Sequence, residues 1–188
     1  MTSVLPEYIY HYYERDIGAF KTLSDLSNDE SVKIMQRIKE EGKTFASKRP
    51  DDYLMVRREL ETKVRRLFIE KGGKPKRKYP FSLTLGECKW LETWYKHPMF
   101  IKIPIHECEP AAMSFTYGDI FPAMRYKDGK PYRGKVYTLY EIPEVIQKYG
   151  LPQEWNSEGL LAPERYIECH LWDDKIVERF VKNLLEAR

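Results

Sequence analysis

Residues 100–124, FIKIPIHECEPAAMSFTYGDIFPAM, constrain the fold of this chain more than any other stretch. They hold most of two apolar runs, 99–105 and 112–118. In the first, Met99, Ile101, Ile103 and Ile105 share one parity; in the second, Met113, Phe115 and Tyr117 alternate with Ser114 and Thr116. Side chains alternate faces along a strand, so each run has one apolar face to bury. Only a short acidic turn separates the runs, and the stretch closes on Gly118, Asp119 and Pro122. The pattern predicts two neighbouring buried strands around which shorter elements pack. Pro104 limits pairing on one edge, because proline has no N–H to donate.

Flanking signals supply those elements. Ser27 and Glu30 form a capping box that opens a helix to about Glu41, with Val32, Met35 and Ile38 inward and Gly42 as the stop. A second helix runs from near Pro50 to about Lys71. Its apolar stripe is Tyr53, Val56, Leu60, Val64, Leu67 and Phe68, and the arginines between them read as its wet face. Residues 8–13 (YIYHYY), 81–85 and 165–172 read as strands, and 135–138 as a short one. A short helix over 88–95 turns Trp90, Leu91 and Trp94 inward, and Asp173 and Asp174 open a C-terminal helix. Helices gather early and strands late, which predicts an α+β fold with a mixed or antiparallel sheet, one domain over 1–188.

Charge and cysteines narrow the function. Net charge is +3, and its surplus gathers at Lys71, Lys74, Lys76, Arg77 and Lys78, a solvated loop or a contact for nucleic acid. Fourteen tyrosines suit the half-buried walls of a cleft. Cys88, Cys108 and Cys169 form no CxxC pair, and His11, His97, His106 and His170 show no ligand spacing, so no metal site or disulfide framework is expected. No apolar run approaches the ~20 residues of a membrane span, and residues 1–13 carry no signal-peptide pattern. A cytoplasmic protein with reduced thiols follows as the expectation. Phosphate-loop, G-x-G-x-x-G, G-x-S-x-G and H-E-x-x-H motifs are missing.

Three features carry candidate chemistry. His11 lies among the tyrosines of the first strand, Asp119 ends the SFTYGD run, Glu164 opens the last strand and Glu168 lies within it. Each also has a structural reading: a satisfied core histidine, an Asx turn, a solvated carboxylate. The order YIYHYY, early helix pair, PFSLTLG, SFTYGD and ERYIECHLW resembles the ADP-ribosyltransferase fold, in particular the DNA-modifying ADP-ribosyltransferase toxins. The chain as a whole also resembles small bacterial proteins without an assigned function. The first resemblance implies NAD as cosubstrate and transfer of ADP-ribose to a nucleic-acid or protein acceptor. It places ribose contact on His11 and catalysis on Glu164, with Glu168 as runner-up. Tyr12, Tyr13, Arg49 and Asp119 would complete the NAD site. The alternative is a non-enzymatic interaction or nucleic-acid-binding module.

Overall fold

The computed structural model describes residues 5–186. The elements are β1 (Tyr8–Glu14), α1 (Asn28–Glu41), α2 (Tyr53–Glu70), β2 (Phe81–Leu85), β3 (Pro98–Pro104), β4 (Met113–Tyr117), α3 (Ile120–Arg125), α4 (Ile142–Tyr149), α5 (Pro152–Trp155), β5 (Ile167–Leu171) and α6 (Asp174–Glu186). Among the described residues the five strands form one sheet in the order β3-β1-β2-β5-β4, every neighbour antiparallel. The α+β expectation therefore holds.

The neighbouring pair predicted within 99–118 does not form. β3 and β4 are the two edges of the sheet, with three strands between them. Residues 105–112 make no hairpin loop; they run through two 3-10 turns, Ile105–Glu107 and Pro110–Ala112. β3 pairs instead with β1 along its whole length, from Tyr8 opposite Pro104 to Glu14 opposite Pro98. Period-two alternation specified which side chains point inward, and it carries no information about which strand lies alongside. The predicted strand at 135–138 reduces to a single bridge between Phe115 and Tyr137.

The two faces of the sheet differ in chemistry. One carries Ile9, Leu83, Leu85, Ile103, Phe115, Ile167 and Leu171, which pack with Ile142 and Ile146 of α4 and Ile176 and Val177 of α6. The register puts Ser82, Thr84, Ser114, Thr116, Glu168 and His170 on the other. Leu60, Val64 and Phe68 of α2, Ile120 and Met124 of α3, and Trp172 form a second core on that side. Polar groups sealed under a helix must find partners inside the protein. That demand shapes α2.

Of the α2 arginines only Arg66 stays on a wet face, 62 % exposed at its side chain; the other three turn to buried acceptors. Arg57 reaches under the helix, Arg58 donates to the Ser24 and Leu26 carbonyls, and Arg65 donates to the carbonyls of Pro75 and Arg77. Long aliphatic stems let guanidinium groups travel to buried acceptors. α1 behaves oppositely. Its capping box is present, but Val32 is 58 % exposed and only Ser31 is buried.

Candidate functional site

The polar face of the sheet organises a buried network. Arg57 donates to Glu61 Oε1 at 2.8 Å, to the Tyr53 hydroxyl at 3.0 Å and to Ser82 Oγ at 3.2 Å. Glu168 accepts the Ile120 N–H through Oε2 at 2.7 Å, which fixes the start of α3 against β5. One residue before that start, Asp119 accepts the Phe121 N–H at 2.8 Å and the Tyr166 hydroxyl at 2.9 Å. The two carboxylates are driven apart in acidity. Burial, helped by the charge of Glu168, pushes Asp119 up to about 6. Burial would also raise Glu168, but His170, the Ser82 hydroxyl and Arg57 outweigh it and hold that carboxyl below its usual range. Carboxylates separated in this way are a recurring arrangement in acid–base sites.

Asp119 and Tyr166 line a cavity of about 310 Å³. The 3-10 turn Phe45–Lys48, the start of α2, the 3-10 turn Lys89–Trp94, α3, and Pro163, Arg165 and Tyr166 surround it. Its walls combine rings with guanidinium groups. Arg49 lies 4.4 Å from the Tyr53 ring centre and 5.3 Å from that of Trp94. Arg165 lies 4.4 Å from the centre of the Trp90 ring. Arg49 and Trp94 each also carry a donor, Nε and Nε1, that is shut away from solvent with no hydrogen-bond partner among the described residues. A neighbouring groove of about 340 Å³ against α1 shares Arg49. Its acid, Asp51, is exposed and paired with Lys39 at 2.7 Å, so it offers no comparable chemistry.

Comparison with family models, with curated proteins and with solved structures found no match. The site is therefore judged on its own geometry.

Of the residues singled out from the sequence, the cavity brings together Arg49 and Asp119, with Glu168 directly behind Asp119. It leaves out His11 and Glu164. His11 lies on the apolar face, stacked on Phe20 at 4.2 Å, with its Nε2 accepting the Phe20 N–H at 2.8 Å. Its Nδ1 lies 3.3 Å from the Ser82 carbonyl, which completes the partners of a neutral ring. Burial lowers its pKa to about 4, beyond what the Ser82 contact restores. Phe20, whose N–H the His11 ring accepts, sits at φ +55°, a left-handed backbone that a bulky residue rarely adopts. Glu164 is fully buried against Gly118 and is neutralised by Lys130 at 3.1 Å and Arg133 at 2.5 Å. Strand β1, which carries His11, and β4, which leads into Gly118, are three strand spacings apart, roughly 14 Å. Both side chains are held by partners within the protein.

Tyr12 and Tyr13 split between faces. The Tyr12 hydroxyl accepts the Cys88 N–H at 2.8 Å, in a cluster with Tyr166, so it backs the cavity wall. Tyr13 stacks on His11 on the far side. The Cys88 thiol is pushed up to about 11 by burial, which leaves it little nucleophilic character.

The fold itself neutralises much of the basic loop. Arg77 is ion-paired with Asp25 and Asp174, Lys76 with Asp173 at 2.5 Å and Lys71 with Glu141 at 2.7 Å. Lys74 and Lys78 remain exposed. Sequence reasoning missed Trp90, Trp94, Arg57, Arg165 and Tyr166 as site residues. The tryptophans carried a signal, since two rings four residues apart on a short helix can wall a cleft as well as fill a core. Arg57 had none beyond its place between apolar positions of α2.

Proposed function

We propose that this chain binds a nucleotide of the NAD class in the aromatic and cationic cavity, with Asp119 as its reactive carboxylate. The observation that carries this reading is the cavity wall itself, where Arg49 and Arg165 lie against the rings of Tyr53, Trp90 and Trp94. Planar rings at Tyr53, Trp90, Trp94 and Phe121 suit a stacked heterocycle, and Arg49, Arg125 and Arg165 suit a phosphate. A volume near 310 Å³ is at the small end for ligand sites and takes one nucleotide half of NAD.

The chemistry this supports is ADP-ribosyl transfer. Cleavage of the bond between nicotinamide and C1′ builds positive charge on the ribose, and an ionised Asp119 would stabilise it. The role that the resemblance assigned to Glu164 thus moves to Asp119, and the binding role of His11 moves to Arg49. A second reading, a binding module without turnover, draws on the fact that both Asp119 oxygens already hold protein donors.

Calorimetric titration with NAD, ADP-ribose and nicotinamide tests the binding. Arg49→Ala should weaken the phosphate-bearing ligands by about 1.5–3 kcal/mol, roughly tenfold to a hundredfold, because a charged hydrogen bond is lost. Nicotinamide should be affected least. Equal affinity of parent and variant for all three would refute this assignment.

A further inference from the structure

We propose that Glu14, Asp16 and His97 form a three-ligand site for a divalent transition-metal ion, zinc in particular. The site is separate from the nucleotide reading and does not rest on it. Glu14 is the last residue of β1, Asp16 lies in the turn that follows, and His97 immediately precedes β3. The pairing of β1 with β3 places Glu14 opposite Pro98, and the Arg15 N–H donates to the His97 carbonyl at 3.0 Å. The topology therefore joins residues 83 positions apart at one corner of the sheet.

One ligand atom from each of the three lies within 4.8 Å of the others. The His97 Nδ1 is 3.5 Å from Glu14 Oε1 and 3.4 Å from Asp16 Oδ2. Four-coordinate zinc holds nitrogen and oxygen ligands at about 2.0–2.2 Å, which sets tetrahedral ligand atoms roughly 3.3–3.5 Å apart. Both separations from His97 Nδ1 fall in that range.

A second observation points the same way. His97 Nδ1 is shut off from solvent, faces two carboxylates and is hydrogen-bonded to neither. The imidazole edge is at the surface, but the nitrogen that would ligate is not. Glu14 is held in place by the Lys96 N–H at 2.7 Å and the His97 N–H at 3.0 Å, so its carboxylate needs little ordering to bind. Asp16, 71 % exposed at its side chain, leaves the outer side open to water as a fourth ligand. One imidazole with two carboxylates suits zinc over magnesium or calcium, which prefer oxygen-only shells.

The full chain, freed of any affinity tag, is titrated with zinc by calorimetry, and with cobalt(II) by visible absorption. The expected result is one saturable site with the intense d–d bands of tetrahedral cobalt. Asp16→Asn and His97→Gln should each weaken zinc by at least about tenfold, whereas His106→Gln should leave it unchanged. Both changes are at the surface, and circular dichroism checks that the variants fold. Failure to saturate at sub-millimolar zinc would overturn the site. So would unchanged affinity in His97→Gln, or a preference for magnesium or calcium.

Discussion

Asp119→Asn is expected to slow nicotinamide release from NAD by about 10²–10⁴-fold, the range for losing one group that stabilises transition-state charge or moves a proton. The substitution keeps the shape, and its amide oxygen still accepts the Phe121 N–H. NAD affinity should change far less than the rate, because the charge matters most when the ribose becomes cationic. The pH profile supplies an independent sign. Asp119 holds its proton up to about pH 6 in the fold, so the parent rate should rise through that region and level off above it. The variant should lack this step. Stability moves the other way. A carboxyl whose folded pKa is raised favours the folded state below its ordinary value near 3.8, and that contribution is lost as pH rises toward 6. Asp119→Asn should therefore not destabilise the protein more at pH 7 than at pH 4. Initial rates and urea midpoints across that pH range check both statements.

Arg57→Ala is expected to lower stability by about 3–5 kcal/mol, since it leaves a buried charge unpaired. Glu61 has a side chain only 2 % exposed, and its sole ion-pair partner among the described residues is Arg57 at 2.8 Å. The change also removes a donor from the Tyr53 hydroxyl and from Ser82 Oγ. Removing both charges with shape retained, as in Arg57→Met with Glu61→Leu, should recover most of the loss, because apolar replacement of a buried pair is often neutral. Urea denaturation of the single and double variants measures the difference. An Arg57→Ala cost below 1 kcal/mol would mean that the network under α2 is not sealed from water.

The contrast between these two residues shows what the sequence could reveal. Asp119 was legible because a Gly-Asp after an alternating run marks a strand end, where a carboxylate meets the backbone of the next helix. Arg57 was not, because an arginine between apolar positions reads as solvent-facing unless its acceptor is known. That acceptor, Ser82, lies on a strand 25 residues away. Strand positions followed the alternation closely: 81–85 matches β2, and the runs at 99–105 and 112–118 differ from β3 and β4 by one residue at each end. Their adjacency was misjudged, since short separation suggested a hairpin where two 3-10 turns send the chain to the opposite edge. His11 illustrates the limit at single residues. A histidine among tyrosines fits a ribose contact or a core position equally well, and only the Phe20 N–H at 2.8 Å reveals which partner it has.

Tryptophan fluorescence during a nucleotide titration tests the cavity most directly. Trp90 and Trp94 line it, whereas Trp172 is fully buried in the core against α2 and α3. Occupancy should quench the emission saturably, and Trp94→Phe should remove much of that signal. Arg49→Ala should move the midpoint to higher NAD. No quenching up to millimolar NAD, or quenching untouched in both variants, would contradict the account.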